Sequence, residues 1–108
     1  MSWDFWMEVD LGGKANHELD FDASYTSDVA PMYQAAFGKR GIRGLNGLTG
    51  YACCDKLNNA IASMERNKEA MLELEPTKGH GNYEEALRLL RVLRGWCIEV
   101  PRATMRVD

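Results

Sequence analysis

Three cysteines stand in 108 residues, and two of them, Cys53 and Cys54, are adjacent. An odd, sparse set argues against a disulfide framework and for a reducing compartment. Neighbouring cysteines on a helix point about 100° apart and serve one tetrahedral metal poorly. No metal site is expected, and Cys54 and Cys97 read as small buried apolar residues. No apolar run approaches the roughly 20 residues that a membrane-spanning helix needs. The opening Met1-Ser2-Trp3-Asp4-Phe5-Trp6 lacks a basic region and brings an acid at once, which does not fit a secretory signal. There is no internal repeat, no low-complexity tract and no lipidation motif at the C-terminus. Catalytic motifs are missing too: no nucleophile elbow, no H-E-x-x-H, no Cys-His signature and no G-x-G-x-x-G. Catalytic residues and cofactors are therefore not expected.

What is present is ordinary for a globular chain, with 45% hydrophobic and 27% charged residues. The length suits a single domain over residues 1–108. The net charge of −3 is unevenly spread: Met1 to Asp28 holds seven acids and only Lys14, whereas residues 29–50 hold Lys39, Arg40, Arg43 and no acid. The beginning would repel nucleic acid, and duplex binding usually needs a broad basic surface. Nucleic acid is not the expected partner, nor is a membrane.

The most legible stretch is Asn82 to Val100. Gly79-His80-Gly81 holds a helix badly, Asn82 is a good N-cap, and Glu85 completes a reciprocal capping box. Ala86, Leu89, Leu90, Leu93, Trp96, Cys97 and Val100 recur at steps of three and four, one face of a helix. Pro101 ends it, and Ala103 to Val107 alternates as a strand.

Upstream, Trp3 to Leu11 alternates with Trp3, Phe5, Met7, Val9 and Leu11 on one side, and so reads as a strand. Trp6 is the aromatic exception on its acidic side, either covered by the fold or exposed to a partner. Gly12 to Asn16 is a turn, and His17 to Tyr25 is a second strand in an antiparallel hairpin. Thr26, Ser27 or Asp28 can cap a helix near Val29 with Pro31 in its first turn and Met32, Ala35, Ala36 and Phe37 as its apolar face. Residues 38–48 carry four glycines and three bases, the composition of a mobile loop, pinned by Ile42, Leu45 and Leu48. Thr49 caps a further helix to about Arg66 with Cys54, Leu57, Ile61 and Met64 inward. A turn or two of helix follows over 68–75, then a loop from Pro76 to Gly81. A hairpin alone is marginal in water, so the tail strand is expected to join it. The fold class is α+β: a small antiparallel or mixed sheet, hairpin plus C-terminal strand, on three to four helices.

Two features invite a ligand. Exposed N–H groups and the side chains of Lys39, Arg40 and Arg43 suit an anion, although a solvated connection explains them as well. The segments around Tyr25 and His80 both lie at helix N-termini, where free N–H groups attract anions. If they meet, Tyr25, Thr26, Ser27, His80, Asn82 and Tyr83 form a pocket; otherwise they are two capped helix starts. His80, flanked by glycines, is accessible and is the candidate base of a weaker, enzymatic reading.

The stretches W-D-F-W-M-E-V-D (3–10), Y-T-S-D-V-A-P-M-Y (25–33), K-G-H-G-N-Y-E-E-A (78–86) and P-R-A-T-M-R-V (101–107) resemble a group of small uncharacterised proteins of tailed phages, chiefly of actinobacteria, and related prophages. The likeness spans nearly the whole chain through short motifs. His80 replaces a common Trp, and Ser27-Asp28 a common Asn. The resemblance implies a phage origin and action in the cytoplasm of an infected bacterium. It brings no enzyme class and no catalytic residues. Small phage proteins act mostly by stoichiometric binding, so the expected function is non-catalytic binding of a host protein, or self-association, with Trp6 at the interface. The alternative is a protein that sequesters a small, nucleotide-like anion.

Overall fold

The computed structural model describes residues 2–13, 16–77 and 79–108. Lys14 and Ala15 of the expected turn and Lys78 of the expected loop lie outside the described residues. The fold is α+β, with a three-stranded antiparallel sheet and four α-helices among the described residues. Strand β1 (Ser2–Val9) is central, flanked by β2 (His17–Thr26) and the C-terminal β3 (Thr104–Val107).

Alternation decides which side of β1 is buried. Trp3, Phe5 and Met7 lie in the core with Met105 and Val107 of β3. The strand ends at Val9, short of the expected Leu11, which is 70% exposed. Pairing stops at Val9 and His17. The Asp10 carboxylate then accepts the Gly12 N–H at 2.8 Å and turns the chain away. Within the hairpin, Trp6 pairs with Asp22 and Glu8 with Glu18, so Met7 alone stands opposite Leu19, Asp20 and Phe21. This bulge lies in the edge strand, where it discourages further strand pairing. The far edge of β3 is covered by its own chain: Gly47 N–H donates to the Met105 carbonyl and Met105 N–H to that of Leu48, each at 2.8 Å.

A short 3-10 turn (Ser27–Val29) leads into α1 (Ala30–Phe37). Its buried residues are Met32 and Tyr33, with Ala36 and Phe37 half-buried; Ala35, expected inward, is exposed. Tyr33 packs its ring 5.6 Å from that of Trp3 and donates its hydroxyl to the Ala86 carbonyl at 2.8 Å. An aromatic with a satisfied hydroxyl displaces the smaller alanine from the buried face. The expected mobile loop holds a second 3-10 helix, Gly41–Leu45, with Ile42 and Leu45 buried and Leu48 half-buried.

Helix α2 (Gly50–Arg66) starts at Thr49, whose hydroxyl accepts the Ala52 N–H at 3.3 Å. Gly50 is required here, because an added Cβ would lie 2.8 Å from the Cα of Pro101. The inward stripe is Cys53, Leu57, Ala60, Ile61 and Met64, so it begins one residue before the expected Cys54. Asn67 ends the helix, its side chain donating to the Ser63 carbonyl at 2.9 Å. Helix α3 (Lys68–Glu73) follows and buries Met71.

Helix α4 (Tyr83–Glu99) packs along α2 and buries Ala86, Leu89, Leu90, Leu93, Trp96 and Cys97, as its periodicity predicts, together with Tyr83 and Leu87. Val100 lies just beyond it, half-buried. Tyr83 donates its hydroxyl to the Met64 carbonyl at 3.0 Å. Burying an aliphatic side chain of this size contributes about 1.5–3 kcal/mol, so the α2–α4 seam is a main source of stability. Phe21 of β2 meets Trp96 with ring centroids 5.7 Å apart, which ties the hairpin to α4. Among the described residues no helix is long and apolar enough to cross a membrane.

Candidate functional site

The two helix starts do meet. The Tyr25 hydroxyl donates to Glu85 Oε2 at 2.9 Å and accepts the Asn82 N–H at 3.3 Å. Asp28 Oδ2 accepts the His80 N–H at 2.9 Å. Gly81 lies against Thr26, the Tyr25 hydroxyl and Val29 with φ +99°, so both its backbone angle and the space around it favour glycine. The capping box is half as expected: Asn82 Oδ1 accepts the Glu85 N–H at 2.9 Å, but the Glu85 carboxylate turns to Tyr25. Thr26 caps the 3-10 turn by accepting the Asp28 N–H at 3.2 Å. Ser27 opens that turn and is half-buried. Tyr83 leaves the group and points to α2.

The polar groups of this junction therefore satisfy one another. Burial, and then the hydrogen bond to Glu85, push the Tyr25 hydroxyl up to about 12. The His80 N–H, an otherwise free donor, holds the Asp28 carboxyl below the usual aspartate range. His80 itself is exposed, and the bond it makes runs through its backbone.

The basic segment is divided. Lys39 and Arg40 lie just past the end of α1, where positive charge complements the helix dipole. Both line a hollow of about 520 Å³. From α2 come Lys56 and Asn59, one helical turn apart. Phe37, Leu45 and Leu48 form its apolar wall. Arg43, in the 3-10 helix, does not line it. Lys56 and Asn59 are not legible from the sequence, since only the packing of α2 against α1, on which the 3-10 helix also rests, brings them to Lys39 and Arg40.

Trp6 lies half-buried on the outer face of the sheet, between Asp22 of β2 and Arg106 of β3 in register. Its indole N–H donates to Glu8 Oε2 at 2.8 Å, and Arg106 Nε donates to Glu8 Oε1 at 3.1 Å. The Trp6 bond first, and Arg106 as well, hold Glu8 below the usual glutamate range despite its partial burial. Glu18 stands directly opposite Glu8, a like-charge pair. A shallow hollow of about 290 Å³ lies beside the indole, lined by Asp4, Glu18, Asp22 and Ser24. Among the described residues, Arg106 with Glu8 is the one ion pair on this face.

The Cys53 and Cys97 thiols are neighbours in the core between α2 and α4. The adjacent Cys97 thiol, then burial, push the Cys53 thiol up and keep it neutral. Cys54, expected in the core, is only half-buried. Among the described residues no group of three or more His, Cys, Asp or Glu side chains is arranged to hold a metal ion. No family model matches the chain, and neither curated proteins nor solved structures show a match to it.

Proposed function

We propose that the protein is a non-catalytic binding protein of phage type, working stoichiometrically in the cytoplasm of a bacterial host. It docks the outer face of its sheet on a basic protein surface, that of a host protein or of a second copy. One observation carries this reading. An indole stands half-buried on an uncovered sheet face, beside a hollow lined by Asp4, Glu18 and Asp22, which have no ion-pair partner among the described residues.

The division of labour follows from magnitudes. Exposed ion pairs contribute about 0.2–1 kcal/mol each, too little to hold a complex. Their use is to steer encounter and set register. Desolvating a tryptophan, with a cation seated on its ring, contributes more. The bulge in β2 turns its edge away from strand addition, so the contact falls on side chains of the face.

The test compares the tagged wild-type chain with the Asp4→Asn, Glu18→Gln, Asp22→Asn triple variant. Both are incubated in bacterial lysate at low salt. The expected result is a one-to-one complex, or a dimer, for the wild type and its loss for the variant. Equal capture by both chains contradicts the reading.

A further inference from the structure

The hollow beside the 3-10 helix shares no residue with the sheet face, and its chemistry is the reverse. Lys39, Arg40 and Lys56 line it, and among the described residues no carboxylate does. None of the three forms an ion pair among the described residues. In a chain of net charge −3, three cations around one hollow are a local positive field that an anion would neutralise. Its volume of about 520 Å³ falls within the range of small-molecule sites. A nucleic-acid duplex would need a wider basic surface.

The walls narrow the class further. Phe37 and Leu48 give an apolar side, and Asn59 offers both a donor and an acceptor. A bare phosphate would leave the apolar side uncovered. An uncharged ring would strip water from three cations without replacing it. A ligand with phosphoryl groups at one end and a flat polar-edged ring at the other satisfies both walls.

We infer that this hollow binds a nucleoside phosphate. The phosphoryl oxygens meet Arg40, Lys39 and Lys56, with the Arg40 guanidinium suited to a bidentate contact. The ring lies along Phe37 and Leu48, with its polar edge toward Asn59. Arg43 is on the same segment, outside the lining, and serves as the internal control.

The experiment is calorimetric titration of the full chain with ADP and, separately, with pyrophosphate. ADP is expected to bind one-to-one, about tenfold or more tighter than pyrophosphate. Arg40→Gln and Lys56→Gln should each weaken ADP about tenfold, the effect of losing a charge-assisted hydrogen bond. Arg43→Gln should leave its affinity within about twofold, as expected of a solvated charge. These are surface changes, and a matching thermal melt confirms that each variant is folded. No saturable ADP binding at millimolar concentration overturns the inference. So does an equal loss in Arg43→Gln, which would mean diffuse charge in place of a site. Pyrophosphate binding as tightly as ADP overturns the assignment of a ring-bearing ligand.

Discussion

Tyr25 and Glu85, sixty positions apart, are joined at 2.9 Å by a hydrogen bond from the tyrosine hydroxyl to Oε2. The end of the hairpin thereby takes part in capping α4. Glu85 would otherwise reach back to the Asn82 N–H, but Tyr25 accepts that N–H and donates to Glu85 in turn. A local motif has become a tertiary one, and it couples the sheet to the helix on which the core is built.

Removing that hydroxyl isolates its contribution. Tyr25→Phe keeps the ring and should cost about 1–2 kcal/mol at neutral pH, measured by chemical denaturation. It should also alter the alkaline limb. The Tyr25 hydroxyl titrates at about 12 in the folded chain, against about 10 when unfolded. Its raised value means that the folded state favours the neutral form. That stability is fully present below about pH 10 and is lost as pH rises toward 12. The wild type should therefore lose more stability than Tyr25→Phe over this range. Parallel alkaline limbs would contradict the bond.

Asp28 gives the opposite limb. Its carboxyl is lowered chiefly by the His80 N–H. A lowered carboxyl stabilises the fold above its unfolded value, near pH 3.9, and the gain is lost as pH falls through the folded value. Asp28→Asn should flatten the acid limb of the pH–stability curve. If the limb is unchanged, the turn and the 79–81 segment are not linked through this contact.

Leu93 is fully buried on α4. Leu93→Ala should cost about 2–5 kcal/mol in urea denaturation, the range for a buried leucine that leaves a cavity. Leu93→Asp should abolish the cooperative transition, because the new charge has no partner in the seam. A folded Leu93→Asp chain would show that this side of α4 is not the core.

Deletion of residues 102–108 should be equally severe. It removes β3, uncovers one edge of β1 and takes away Ala103, Met105 and Val107, all buried. The expected readout is loss of a sharp thermal transition. A melt unchanged from wild type would contradict the three-stranded sheet.

The sheet, the tail strand and the inward side of α4 were legible because each rests on a period repeated several times over. The exceptions have physical reasons. The β2 bulge sets three residues against one, an even excess, so Leu19, Phe21 and Ala23 keep their side of the sheet and alternation cannot reveal it. In α1, eight residues make too little helix for periodicity to rank Tyr33 above Ala35. Cys53 and Cys54 flank the edge of one stripe, and the docking of α4, with Cys97 beside Cys53, decides between them. For the candidate sites, local sequence marked Trp6, Lys39 and Arg40. It could not group Lys56 and Asn59 with them, nor place Arg43 outside the hollow, because those facts depend on how α2 packs against a distant segment.

We propose that the outer sheet face around Trp6 is where this protein meets its partner. A direct measurement keeps Trp6, replaces the exposed Ser24 in the hollow beside it with a photo-crosslinking phenylalanine derivative, and irradiates bacterial cells that produce the chain. One discrete adduct is expected, either of twice the mass of the chain or with a single protein carrying a basic surface. The adduct should disappear when Asp4, Glu18 and Asp22 are neutralised, and the same probe at Leu72, exposed on α3, should give none. No adduct from position 24, or an equal yield from position 72, would contradict this.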